Sequence, residues 1–121
     1  MTDHDALVDC YIAAWNEPDP ARRRDLIART WTEEASYLDP KLSAQGHAAL
    51  DAMLQGVQGM FPGHRFRRLS AAEAHHDRLR FRWALEAADG ARVVEGTDVA
   101  VLSPDGRMAS VTGFFDALPA G

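Results

Sequence analysis

From Pro62-Gly63 onward the hydrophobic period of this chain changes to two, and that change restricts the folds open to it. Upstream, apolar residues recur at helical spacing. Leu7, Val8, Tyr11, Ile12 and Trp15 form one stripe, with Thr2 or Asp3 placed to cap it and Pro18 and Pro20 to close it. Asp19-Pro20 has the form of an N-cap followed by proline in the first turn, and opens a second helix through Leu26, Ile27 and Trp31. After a short strand at 35–38 and a polar loop ending at Gly46, Leu50, Met53, Leu54, Val57 and Phe61 predict a third helix that Pro62-Gly63 stops.

Downstream the period is two. Residues 64–71, 78–87, 92–102 and 107–117 read as strands, separated by His75-His76-Asp77, Asp89-Gly90 and Ser103-Pro104-Asp105-Gly106. Connections this short join antiparallel neighbours. The expectation is therefore an α+β fold, with three N-terminal helices packed on a curved, mostly antiparallel sheet and one domain over residues 1–121. A chain of 121 residues can bury a core without metal or disulfide staples, and its single cysteine, Cys10, reads as a small core residue.

Two carboxylates interrupt this apolar pattern. Asp39 ends the run Ala35-Ser36-Tyr37-Leu38, and Asp98 shares a strand face with Val94, Gly96, Ala100 and Leu102. A carboxylate on a buried face must be hydrogen-bonded, paired or protonated, and clefts that shift carboxylate pKa values are where acid and base chemistry is found. Gly96 removes side-chain volume beside Asp98, as a ligand approaching the sheet would need. Tyr11 adds a third polar group, on the first helical stripe. The neighbouring strands turn Leu79, Phe81, Trp83 and Leu85, and Val111, Gly113 and Phe115, toward the same interior. Each polar group also has a plainer reading: a core tyrosine tied to backbone, a turn-starting aspartate before Pro40, and an aspartate bridged to an arginine or bonded to a neighbouring strand.

Cys10-Tyr11-Ile12-Ala13-Ala14-Trp15-Asn16 resembles the first-helix motif of bacterial ketosteroid isomerases, and Tyr37-Leu38-Asp39-Pro40 is similar to their catalytic Asp-Pro segment. Val93 to Asp98, through Gly106-Arg107 and on to Phe114-Phe115, resembles their final hairpin. The likeness covers nearly the whole chain and points to the NTF2-like, or SnoaL-like, superfamily, which implies a conical fold around a pocket and a homodimer. By matching position, the resemblance implies Asp39 as general base, with Tyr11 and a protonated Asp98 donating hydrogen bonds to a developing enolate oxygen. Ketosteroid isomerase is a well-known case of that division of labour. Trp15, Trp31, Phe61, His64, Phe81, Trp83, Val111 and Phe115 are the expected substrate contacts, and no cofactor is implied. The expected ligand is a small hydrophobic carbonyl compound, bound for isomerisation or cyclisation, or held without chemistry.

A net charge of −5 argues against a general nucleic-acid binder. Arg22-Arg23-Arg24 reads as a solvated helix face, and Arg65, Arg67 and Arg68 as the exposed side of a strand. His75-His76-Asp77 lacks a distant partner cluster for a metal. Met1 to Asp5 lacks the basic start and apolar run of a signal peptide, and no stretch is long enough to span a bilayer, so a cytoplasmic protein without membrane partners is expected.

Overall fold

The structure, a computed structural model, describes residues 3–118. Helix α1 runs His4–Asn16, and the Asp3 side chain caps it by accepting from the Ala6 N–H at 2.9 Å. The other proposed cap, Thr2, lies outside the described residues. Helix α2, Pro20–Thr30, begins as its sequence implies: Asp19 accepts from the Arg22 N–H at 2.9 Å, and Pro20 occupies the first turn, where a missing N–H costs nothing.

Trp31 is not the last residue of that helix but the first of a strand, β1, Trp31–Leu38. Trp31, Ala35 and Tyr37 are its buried residues, and the alternation lapses at exposed Glu33, within the stretch from Trp31 to Ser36 where the strand's pairing register is irregular. That irregularity, with the polar run Thr32-Glu33-Glu34, hides the strand's first half from a period-two search. The polar loop also holds a short strand, β2, Ser43–Gln45, which pairs antiparallel with β1. Gly46, at φ 85, turns the chain into helix α3, His47–Met60.

The expected strand at 64–71 is shorter, and a second, unexpected piece lies beyond it and takes in His75 from the expected turn. β3, Arg65–Arg68, and β4, Glu73–His75, pair with successive parts of β5, Arg78–Glu86. Between them Leu69 donates to the Arg82 carbonyl at 2.8 Å, and the Ser70 hydroxyl accepts from the Arg82 N–H. β4 is exposed throughout and so carries no apolar alternation to betray it. β6, Arg92–Leu102, and β7, Met108–Ala117, complete one curved, unclosed mixed sheet in the order β2-β1-β7-β6-β5-β3. Its β1–β7 pair is parallel and all other pairs are antiparallel.

The inward sets are the expected ones. Leu79, Phe81, Trp83 and Leu85 are buried while Arg78, Arg80 and Arg82 are exposed, and Gly96, Asp98 and Ala100 are buried along β6. Arg23 departs from expectation. Rather than joining a solvated face it is 1% exposed, paired with Asp51 of α3 at 2.6 Å and donating to the Glu17 carbonyl at 3.1 Å. It clasps α2, α3 and the α1–α2 turn, because the turn presents carbonyls that need donors. No helix among the described residues is long and apolar enough to cross a membrane.

Candidate functional site

A cavity of about 130 Å³ lies between the helices and the sheet, walled mostly by apolar side chains. Apolar cavities of this size accept a small ring. Tyr11 of α1, Asp39 of the turn that follows β1 and Asp98 of β6 all reach it. Register explains the meeting. Asp98 of β6 is opposite Gly113 of β7, and Leu38 of β1 is opposite Thr112, so Asp39 comes alongside Gly113 from the other side. A Cβ at position 113 would stand 2.8 Å from Asp98 Oδ1, 3.2 Å from Asp39 Cβ and 3.2 Å from the Tyr37 hydroxyl. The missing side chain is what lets the two aspartates share one floor.

Asp98 is 3% exposed and accepts on both oxygens: from the Tyr11 hydroxyl at 2.6 Å on Oδ2, and from Trp83 Nε1 at 2.9 Å on Oδ1. Burial raises its pKa from 3.8 to about 6. The bonds from Tyr11 and Trp83 oppose the rise, and the charges of Asp39 and Asp116 add to it. The Tyr11 hydroxyl is pushed well above its ordinary value by burial and then by the Asp98 charge. An indole N–H can only donate, so Trp83 holds Oδ1 as an acceptor. A proton on Asp98 therefore resides on Oδ2, facing Tyr11.

Asp39 is engaged differently. Its Oδ1 accepts from the Lys41 and Leu42 backbone N–H groups at 2.8 and 2.7 Å, and its Oδ2 accepts from the Tyr37 hydroxyl at 2.7 Å. The turn-starting role and the cavity position are held by one side chain. Burial, then the Asp98 charge, then the bond to Asp39 raise the Tyr37 pKa.

Trp15, Phe61, Trp83 and Phe115 line the cavity with these groups. Trp31, Phe81 and Val111 do not: they are fully enclosed, and the first two pack on the Tyr11 ring at 5.1 and 5.3 Å between centroids. His64 lies in an adjoining hollow, stacked edge-on against Phe61 at 5.5 Å and bonded to the Pro62 carbonyl at 3.0 Å. The space at Gly96 serves Trp83 rather than a ligand, since a Cβ there would lie 2.3 Å from the indole Cζ2. Gly96 lets that ring cross β6 to reach Asp98.

Sequence reasoning missed Tyr37 and, although it named Trp83 among the expected substrate contacts, missed the bond from that indole to Asp98. Tyr37 was legible, because it lies two residues before Asp39 and therefore on the same strand face. The Trp83 bond to Asp98 was not, since it joins residues 15 apart through a cross-strand register. Among the described residues no group of three or more His, Cys, Asp or Glu is arranged to hold a metal ion.

Residues 8–111 match the sequence pattern of the SnoaL-like domain. Among solved structures, a SnoaL-like family protein of Agrobacterium tumefaciens strain C58, named as a candidate isomerase, superposes at a TM-score of 0.91. It is 39% identical, over 97% of this chain and 100% of its own. A candidate polyketide cyclase of Sinorhizobium meliloti shares the fold at a TM-score of 0.69 and 18% identity, over 89% of this chain and 93% of its own. An NTF2-like protein of unknown function from Exiguobacterium sp. 255-15 does so at 0.71 and 22%, over 91% and 98%. No curated protein matches the chain. The helices on a curved sheet, the aspartates meeting across Gly113 and a domain match spanning most of its length agree: the chain belongs to the SnoaL-like family, with an NTF2-like fold.

Proposed function

We propose that the protein is an acid–base enzyme that removes a proton next to the carbonyl of a small hydrophobic compound and stabilises the enolate, leading to isomerisation or ring closure. The observation that carries this reading is the pairing of two unlike aspartates across Gly113 in an apolar cavity. One is buried with a pKa near neutrality, and the other is held by its turn and by Tyr37. Asp39 takes the substrate proton. Tyr11 serves the substrate oxygen, with Asp98 behind it: once Asp98 Oδ2 carries a proton and donates to Tyr11, the tyrosine's own hydroxyl proton turns to the cavity. This places Asp98 one bond further from the substrate than a direct oxyanion donor.

Solvent-deuterium exchange into cyclic and polycyclic ketones tests the reading. Wild type is expected to label the carbon next to the carbonyl, and Asp39→Asn to lose at least about a hundred-fold of that rate. Equal labelling by Asp39→Asn would remove Asp39 from the base role. The engagement of Asp39 by its own turn favours a second reading, a pocket that binds such ligands without chemistry. That reading predicts tight ketone binding with no label in wild type.

A further inference from the structure

Three buried side-chain polar atoms among the described residues have no hydrogen-bond partner: Trp15 Nε1, Trp31 Nε1 and Arg23 Nη2. Of the three residues, only Trp15 lines the cavity that holds the aspartates. Trp31 is enclosed in the core behind Tyr11, and Arg23 is enclosed between α2 and α3. A buried donor with no acceptor is destabilising, and native structures rarely leave one so without a use. At Trp15 the cavity itself can admit the acceptor.

The surroundings of the indole say what that acceptor is. Trp15 is 5% exposed and lies one helical turn after Tyr11, with ring centroids 6.2 Å apart. Its N–H is near enough to the Tyr11 oxygen to counter part of the rise in that hydroxyl's pKa, yet among the described residues it has no hydrogen-bond partner. Trp83 on the sheet wall provides the contrast, because its N–H is already bonded to Asp98. A ligand oxygen that reaches Tyr11 thus comes within range of a second donor that has nothing else to bind.

We propose that the Trp15 indole N–H donates to the ligand oxygen beside Tyr11, so that the site selects ring-sized apolar compounds whose carbonyl, enolate or phenolate oxygen bridges the two residues. The inference rests on the reading above, that the cavity takes oxygen-bearing hydrophobic ligands. Two donors on one oxygen separate such a ligand from a hydrocarbon of the same shape more sharply than Tyr11 alone, whose hydroxyl is shared with Asp98.

Para-nitrophenolate and para-nitrotoluene form a matched pair of probes. Trp15→Phe keeps an aromatic ring but no N–H, and is expected to weaken para-nitrophenolate binding about ten-fold or more while leaving para-nitrotoluene unchanged. In isotope-labelled wild type, the Trp15 indole N–H resonance, assigned through its contacts with Tyr11, is expected to move downfield on saturation with para-nitrophenolate while that of Trp31 stays. This measurement stands even if the variant does not fold. Phenolate binding to wild type with a stationary Trp15 resonance overturns the inference and leaves the oxygen-binding pocket intact. An equal loss of both probes in Trp15→Phe makes the indole a packing group and overturns it as well. A wild type that binds neither probe overturns this inference and the reading beneath it together.

Discussion

At Asp98 the same burial that threatens the fold creates the chemistry. Raising the carboxyl pKa from 3.8 to about 6 corresponds to roughly 3 kcal/mol of folding free energy. Below the unfolded value the side chain is protonated in both states and there is no penalty. As pH rises from 3.8 toward about 6 the unfolded chain ionises first, so stability falls, and above about 6 the loss levels off. Asp98→Asn removes the penalty while its amide oxygen can still accept from Trp83 and its NH₂ can donate to Tyr11. The variant is therefore expected to melt higher than wild type near neutral pH and equally at acidic pH. Wild type is expected to bind phenolates with a pH dependence around 6, and the variant to lose it. A lower melting temperature at neutral pH, with wild-type pH dependence of binding, would show that Asp98 is an ionised structural anchor. Tyr11, Asp39 and Asp98 could be picked out as polar interruptions of apolar faces, and the family resemblance gave them roles. The partition of donors could not, because the Trp83 bond to Asp98 depends on a cross-strand register that a linear pattern leaves open.

Among the elements, helix ends and strands with one wet and one dry face were the legible ones. Asp3, Asp19 and Pro20 mark helix starts through local chemistry, and β6 keeps its sequence boundaries because both its faces alternate. β2 and β4 were invisible, being three residues each and lacking a fully buried face. Arg23 shows how charge misleads at this scale. Within Arg22-Arg23-Arg24 it is chemically equivalent to its neighbours, and only the approach of Asp51 and the α1–α2 turn carbonyls buries it. Removing one partner of a buried pair leaves the other charge uncompensated. Arg23→Ala is expected to destabilise the protein by about 3 kcal/mol, and Arg23→Met combined with Asp51→Leu by much less. Urea unfolding of the two variants checks this, and similar losses in both would place the stabilisation in the carbonyl contacts rather than in the ion pair.

For the whole molecule, the face of the sheet turned away from the helices carries half-buried Val93, Val99 and Val101 beside Phe114, which is 54% exposed. We propose that two copies pair through this face about a two-fold axis, covering an apolar surface larger than isolated side chains would need. Light scattering at micromolar concentration is expected to give twice the chain mass, and Phe114→Glu to give the single mass with the cavity intact. A wild-type monomer would remove the dimer. The change of hydrophobic period at Pro62-Gly63 determined that most of the sheet follows the helices, because period is local and each segment carries its own. Sequence also placed Asp98 on an inward face, since alternation along a strand needs no partner, and Asp39 at the end of the apolar run 35–38. Only the tertiary structure decided that the two meet. The parallel β1–β7 pairing brings residues from opposite ends of the chain side by side, and Gly113 leaves the room between them. Neither register nor the absence of a side chain opposite a distant residue is written in a local pattern, so the site exists only once the sheet has assembled and curved around it.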